Sequence, residues 1–261
     1  NCAFCSQARD SKTQSNFLSR VAWEETPEAE AVENLGQAFQ AGKIKRVCLQ
    51  VVNRPDSFET IVRALEELKK YGEVPAVVSG YITSVEQAAK LFALGAERIG
   101  LSLDAAVPEL FARIKGGSWQ KRWELLCDCA ETFPDKMTTH LIVGLGETEK
   151  EMWQLIAECY ERKITVGLFA FTPLKGTKME HSLPPDRGSY RRLQIASELL
   201  RQGLSKKVVV CDDQRIISFQ VSDLRERLAD GRAFLTSGCK DCNRPLSKEE
   251  LTLALAESGV V

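Results

Sequence analysis

The sequence predicts an α/β protein, a partial or full TIM-like (β/α) barrel. Apolar runs of about four to eight residues alternate with amphipathic stretches of about 12 to 18 residues, which is typical of repeated strand–helix units around a parallel sheet. Several of the amphipathic stretches end at a glycine, a common stop for a helix. The 261 residues are enough for one barrel or for two small domains, and no linker divides them.

The apolar and amphipathic segments can be assigned in chain order. Strands are predicted at residues 47–52, 74–79, 98–104, 138–144, 165–172, 207–211 and 233–236. Helices, with apolar residues three and four apart, are predicted at residues 27–42, 58–71, 84–94, 119–132, 149–162 and 186–203. The barrel core is expected to span residues 1–246. Ser247 and Glu250 match a helix capping box, so residues 247–261 are predicted to form a short closing helix.

Composition and charge argue against two classes of partner, nucleic acids and membranes. The 35 basic and 36 acidic residues give a net charge of −1, which does not favour binding to nucleic acid. No apolar run approaches the roughly 20 residues that a membrane span needs, and no secretory leader pattern opens the chain. We therefore expect a cytoplasmic protein without a membrane partner. The nine cysteines are an odd number in an α/β pattern, which favours metal or redox use over disulfides.

A Cys-x-x-Cys pair, Cys2 and Cys5, lies in the loop before the first predicted helix. Spacing alone is compatible with half of a zinc site, a redox pair or two ligands of an iron–sulfur cluster. With the aromatic Phe4 before the second cysteine, the pair resembles the end of the CxxxCxxC signature of the radical S-adenosylmethionine (SAM) superfamily. The chain starts at Asn1 without Met, and we expect the first signature cysteine three residues upstream of it.

This resemblance implies the fold and the cofactors. In the superfamily, three thiolates hold a [4Fe–4S] cluster on a (β/α) barrel of the radical SAM type, and one iron binds the amino and carboxylate groups of SAM. An electron from a donor cleaves SAM to give a 5′-deoxyadenosyl radical.

Nearly the whole chain is similar to biotin synthase, a member of the superfamily, and this implies where SAM contacts the protein. Ser102 and Asp104 correspond to ribose-binding positions, and Arg122 to an arginine that meets the SAM carboxylate. The remaining implied SAM-binding residues are Phe4, Gly144, Gly146, Glu147, Phe171, Thr172 and Leu174. Several of these positions also fit a purely structural role: Asp104 as a helix N-cap, Arg122 as a solvated helix residue, the glycines as a turn and Phe171 as an ordinary buried strand residue.

A second cluster is also implied, with a departure from biotin synthase. Cys48 corresponds to one of the three cysteines that hold the second cluster there, whereas Val77, Thr138 and Val209 stand at the other ligand positions, so we do not expect biotin synthase activity. Four thiols at predicted strand ends are expected to face one barrel mouth and hold an auxiliary [4Fe–4S] cluster: Cys48, Cys211, Cys239 and Cys242.

Two alternatives to this auxiliary cluster remain. Cys48 and Cys211 could be ordinary buried cysteines, and Cys2 and Cys5 could form a zinc site with Cys239 and Cys242. The other three cysteines are predicted to be structural, namely Cys127, Cys129 and Cys159. His140 and His181 lack a partner histidine at ligand spacing, which does not support a hydrolase.

The two ends of the chain resemble one subunit of the split, two-protein lipoyl synthases. That resemblance implies sulfur insertion into the C–H bonds of an octanoyl group on a lipoyl carrier domain, together with a partner radical SAM subunit. One alternative is a related enzyme whose second cluster transfers electrons or anchors substrate. The other is a non-enzymatic iron–sulfur or zinc scaffold. No residue is assigned to direct catalysis.

Overall fold

The chain forms a short antiparallel strand pair, β1 (Phe17–Leu18) and β2 (Val21–Ala22), and then a five-stranded parallel sheet. The computed structural model describes residues 1–14, 16–18 and 21–235. The strands of the sheet are neighbours in chain order: β3 (Val47–Gln50), β4 (Ala76–Ser79), β5 (Ala96–Gly100), β6 (Met137–Val143) and β7 (Thr165–Ala170). The predicted α/β class and five of the predicted strands are confirmed.

Helices connect the strands, as a parallel sheet requires. Six were predicted and are confirmed: α1 (Glu28–Gln40), α2 (Ser57–Leu68), α3 (Val85–Ala93), α5 (Trp119–Thr132), α6 (Glu149–Glu161) and α7 (Arg187–Arg201). Two short ones were not predicted, α4 (Pro108–Ile114) and α8 (Leu224–Leu228). Neither is long enough to show a helical period. No helix within the described ranges is long and apolar enough to cross a bilayer.

Alternate residues of each strand face opposite sides of the sheet. On β6, Met137, Leu141 and Val143 belong to the main apolar core, which the helices cover. Thr138 and His140 therefore lie on the opposite face, which we call the inner face. The same alternation places Cys48 of β3 on the inner face, because its neighbours Val47 and Leu49 pack in or against the apolar core.

The strand predicted at residues 207–211 forms over Val209–Cys211, but its predicted place in the parallel sheet is wrong. Val209–Cys211 (β8) pairs antiparallel with Ile216–Phe219 (β9) in a sheet of its own, and does not extend the parallel sheet. A short turn joins β8 to β9. A turn of that length allows an antiparallel hairpin but is too short for the crossover that a parallel partner requires. The buried Glu149 carboxylate then fixes this hairpin to α6 by accepting a hydrogen bond from Ile216 N at 3.1 Å.

The predicted strand at residues 233–236 is also wrong over its described part. Arg232–Phe234 forms a 3₁₀ turn, which follows Gly231 in the left-handed conformation. Phe234 is buried, and its carbonyl accepts a hydrogen bond from Gln194 of α7. The closing helix at 247–261 and the cysteines Cys239 and Cys242 lie outside the described residues, and the division at residue 246 stays a prediction.

Candidate functional site

The N-terminal loop is fixed across the carboxyl end of the sheet. Ala3 N donates to Ile114 O at the end of α4 (2.8 Å), and Lys12 N donates to Gly176 O in the segment after β7 (2.8 Å). Gly176 has a φ of +87°, and a Cβ there would lie 2.9 Å from Thr13 N, so only glycine allows the two segments to approach this closely. Cys2 and Cys5 therefore lie at the mouth of the sheet.

The two cysteines belong to a single turn. Cys5 N donates to Cys2 O at 3.0 Å, and both side chains are half-buried. Between them, Ala3 and Phe4 pack against a buried apolar group that we call the mouth cluster: Ala105, Leu110, Phe111, Ile114, Leu145 and Phe171. Two of the residues predicted to contact SAM, Phe4 and Phe171, thus share one apolar surface beside the cysteines.

Asp104 follows β5 and has an unusual backbone conformation. Its φ is +62°, a left-handed value that Asp tolerates better than most residues. Asp104 N donates to His140 O, and Asp104 O accepts from Ile142 N, both at 2.8 Å, so the residue extends the pairing with β6. Helix α4 begins only at Pro108, after Val107, and has no side-chain cap. The alternative role of Asp104 as a helix N-cap is therefore excluded.

A lysine that sequence analysis missed contacts the Asp104 carboxylate. Lys115 Nζ donates to Asp104 Oδ2 at 2.6 Å and to Ser102 O at 2.7 Å. Ser102 Oγ in turn lies 3.2 Å from His140 Nδ1 on the inner face. Lys115 follows α4, a helix too short to predict, and no local pattern marks it as a site residue.

Arg122, on the first turn of α5, is half-buried at the same mouth, unlike a solvated helix arginine. Its guanidinium carbon lies 4.6 Å from the centre of the Tyr81 ring, within the range of a cation–π contact. Burial lowers the pKa of Arg122, while Tyr81, Asp104 and Cys2 act in the opposite direction. Burial likewise raises the pKa of the Cys2 thiol, against which Lys115 acts most strongly. Positive and negative groups thus converge around Cys2.

The loop after β6 is stabilised by hydrogen bonds to the carboxylate of its own residue Glu147. Glu147 Oε1 accepts from Gly144 N (2.7 Å) and Oε2 from Leu145 N (3.0 Å). Burial raises the pKa of Glu147, and these backbone donors oppose the shift. Gly144 has a φ of +98°, and a Cβ there would lie 2.8 Å from Pro185. Gly146 has a φ of +123°. The glycines are required by backbone shape, and their approach to SAM stays a prediction.

Four predicted site residues take no part in the contacts described above, namely Thr172, Leu174, Cys48 and Cys211. Thr172 is exposed, and Leu174 is half-buried with its carbonyl bonded to Thr177 N and Oγ1. Cys48 is exposed on the inner face, which excludes an ordinary buried cysteine, but as the second residue of β3 it does not lie at the carboxyl end of its strand as predicted. Cys211 is half-buried in the β8–β9 hairpin and packs against the main apolar core. Within residues 1–14, 16–18 and 21–235, no three His, Cys, Asp or Glu side chains form a metal site.

Comparison with known proteins decides the family. A profile of the radical SAM superfamily matches residues 1–159. The chain belongs to the radical SAM superfamily. Solved structures with a similar fold include methylornithine synthase (PylB), with a TM-score of 0.60 and 15% identity over 85% of this chain and 72% of that one. The [FeFe]-hydrogenase maturase HydG has a TM-score of 0.59 and 14% identity over 77% of this chain and 46% of that one.

The curated relatives include enzymes with two different names. A GTP 3′,8-cyclase of Gloeobacter violaceus is 32% identical over 117 residues, which are 44% of this chain and 36% of the relative. A lipoyl synthase of Haemophilus influenzae is 27% identical over 149 residues, 54% of this chain and 47% of the relative. The chain thus matches less than half the length of either relative, and neither comparison assigns it a substrate.

The residues at the mouth fit the cofactors that radical SAM membership implies, a [4Fe–4S] cluster and SAM. Cys2 and Cys5 provide two of the thiolate sulfurs that such clusters use. Lys115 and Arg122 supply positive charge beside them, and the Asp104 carboxylate can accept hydroxyl hydrogen bonds. The mouth cluster offers an apolar surface for a flat ring such as adenine.

We expect Asp104→Asn to raise the Kd for SAM by roughly ten- to a hundredfold, because an amide accepts hydroxyl hydrogen bonds less strongly than a carboxylate. Asparagine also tolerates a positive φ, so the backbone should be retained. Equilibrium binding and iron content of the reconstituted protein check this. Asp135→Asn is the matched control, since Asp135 is exposed and has a φ of +64°. Loss of iron in Asp104→Asn would instead show that Asp104 is structural.

Proposed function

We propose that the chain binds SAM at its mouth, cleaves it reductively and directs the resulting radical to insert sulfur into C–H bonds of a protein-bound octanoyl group. Cleavage is supported by one observation above all: the turn that carries Cys2 is bonded through Ala3 N to Ile114 O at 2.8 Å, and the next residue, Lys115, pairs with Asp104. Sulfur insertion is supported by the lipoyl synthase relative and by the resemblance of both chain ends to split lipoyl synthases.

The chain's own residues have binding and positioning roles in this proposal. Arg122 pairs with the SAM carboxylate, and the Tyr81 ring limits the directions in which its guanidinium can point. Asp104 and Ser102 accept hydrogen bonds from the ribose. The mouth cluster, with Phe4 over it, excludes water from the adenine side. A [4Fe–4S] cluster held by Cys2 and Cys5 would supply the electron that breaks a carbon–sulfur bond of SAM, and the radical so formed would abstract hydrogen from the substrate.

A second cluster, held by Cys48, Cys211, Cys239 and Cys242, is the proposed source of sulfur. The proposed partners are an electron donor, a lipoyl carrier domain and a second radical SAM subunit. To test the function, the full chain would be reconstituted anaerobically and given SAM, a reductant and an octanoylated carrier domain. We expect 5′-deoxyadenosine and a carrier whose mass has increased by sulfur. No 5′-deoxyadenosine from a protein that carries iron would contradict SAM cleavage.

The GTP 3′,8-cyclase relative favours a second candidate, a radical reaction on GTP instead of sulfur insertion. In this candidate we propose that the second cluster anchors substrate or transfers electrons. The same reconstituted protein would be incubated with GTP in place of the carrier domain. A new GTP-derived product without sulfur transfer to the carrier would support this candidate. Zinc in place of iron after reconstitution would support a scaffold without SAM chemistry.

Replacing Cys48 or Cys211 by alanine is expected to abolish product while leaving SAM cleavage detectable. Both changes, like Cys239→Ala and Cys242→Ala, should lower the iron content from about eight to about four atoms per chain, since ligands of one cluster act together. Cys127→Ala is the control, because this thiol is buried and its pKa is raised to about 11 by that burial. Normal iron content and turnover in Cys239→Ala and Cys242→Ala would leave the chain with one cluster.

A further inference from the structure

The ion pair between Lys115 and Asp104 is shielded from water. The two side chains are 11% and 12% exposed, and the ammonium lies 2.6 Å from Oδ2. Solvent therefore screens the pair much less than an ion pair on the surface. The Lys115 ammonium also lies 5.1 Å from the centre of the Phe111 ring, which belongs to the mouth cluster. Lys115 is thus held on one side by aromatic surface and on the other by the strand extension that carries Asp104.

Lys115 contacts both the backbone and the carboxylate at the end of β5. Its second hydrogen bond, to Ser102 O at 2.7 Å, ties it to the residue two positions before Asp104. Between these two contacts the chain turns into the left-handed conformation at Asp104, which costs on the order of 1 to 3 kcal/mol and persists only where surrounding contacts enforce it. Such strained residues concentrate at functional sites.

The pair leaves one carboxylate oxygen available. Within the described part of the chain, Lys115 is the donor to Oδ2, and no group donates a hydrogen bond to Oδ1. A carboxylate oxygen can accept two hydrogen bonds. The arrangement therefore fixes the direction of Oδ1 and leaves it without a donor among the described residues, which is what a bound polyol such as ribose requires.

We propose that Lys115 is a positioning residue for SAM: it holds the Asp104 carboxylate in the orientation that accepts the ribose hydroxyls. This inference rests on the proposed binding of SAM at the mouth. It predicts that Lys115 acts through Asp104 and makes no contact with SAM of its own. The alternative is that Lys115 only fastens α4 to the sheet, in which case its loss would affect stability and not the affinity for SAM.

The test is a double-mutant cycle measured as the Kd for SAM of the cluster-loaded full chain. Lys115→Met keeps the apolar stem and removes the ammonium, and we expect a Kd roughly tenfold higher. In the Asp104→Asn background, Lys115→Met should change the Kd by less than about threefold, because the group through which it acts is gone. Lys115→Arg keeps a positive charge with hydrogen-bond donors at this position, and its Kd for SAM should stay closer to that of the wild type than the Kd of Lys115→Met.

Control variants distinguish an effect on SAM binding from an effect on folding. Lys121→Met, on the exposed face of α5, should bind SAM like the wild type. If Lys115→Met alone does not fold, Lys115→Gln, which removes the charge but retains a hydrogen-bond donor near Ser102 O, replaces it in both backgrounds of the cycle. An unchanged Kd in Lys115→Met, or additive effects in the cycle, would overturn the inference while wild-type binding upholds the proposed function. A wild-type protein that carries iron but does not bind SAM would instead contradict the proposed function itself.

Discussion

Replacing either Cys2 or Cys5 by alanine is expected to reduce reductive SAM cleavage to background. The two thiols lie in one turn, and an iron–sulfur cluster with too few thiolates is not retained. The turn itself is fixed by backbone bonds from Ala3 and Lys12, which do not depend on the cysteine side chains. The protein should therefore fold, lose the iron that belongs to this turn and form no 5′-deoxyadenosine.

Iron content and 5′-deoxyadenosine formation, measured under anaerobic conditions, check this result. Cys129→Ala is a suitable control, because Cys129 is also a thiol but is buried in the main apolar core. We expect it to retain iron and cleavage. Cleavage that survives in Cys2→Ala would mean that this turn does not hold the cluster at which SAM is cleaved.

A large loss of stability is expected from Arg192→Leu. Glu149, whose side chain is 4% exposed, accepts two hydrogen bonds from the Arg192 guanidinium, both at 2.8 Å. Removing the arginine leaves a buried carboxylate whose remaining described donor is Ile216 N. Uncompensated buried charges cost about 3–5 kcal/mol, a large part of the roughly 5–15 kcal/mol that stabilises a typical domain.

Urea denaturation measures the loss as a lower midpoint of unfolding. Lys206→Met removes the cation of an exposed pair with Glu161, in which both side chains are 53% exposed. Exposed pairs contribute at most about 1 kcal/mol, so this variant should unfold close to the wild type. Coincident curves for Arg192→Leu and Lys206→Met would show that the Glu149 pair does not stabilise the fold. The Glu149 contact also fixes the hairpin that carries Cys211.

Strands and helices whose pattern repeats over several residues could be predicted from the sequence. The strands of the parallel sheet and the six longer helices have the periodicity of their elements, because burial of one face selects apolar residues at regular intervals. The Cys-x-x-Cys turn and the loop from Gly144 to Glu147 could also be recognised, since each is a local segment whose residues are adjacent in the chain. Periodicity does not predict α4, because a helix of seven residues is too short to show a repeat.

Pairing between distant segments was decided only by the tertiary structure. The residue types in β8 fit a parallel strand as well as a hairpin, and the short turn to β9 with the docking of Ile216 on Glu149 selected the hairpin. A buried phenylalanine at position 234 fits a strand as well as a 3₁₀ turn, so the sequence does not distinguish the two. The contact of this turn with α7 does.

The sequence alone determined the class of this protein and the local segments from which its site is built, because both are encoded in residues close together in the chain. The tertiary structure alone brought Lys115 to Asp104 and Tyr81 to Arg122. The physical reason is that an ion pair or a cation–π contact has no sequence period. Its strength depends on distance and on the exclusion of water, and both are set only when the helices pack on the sheet.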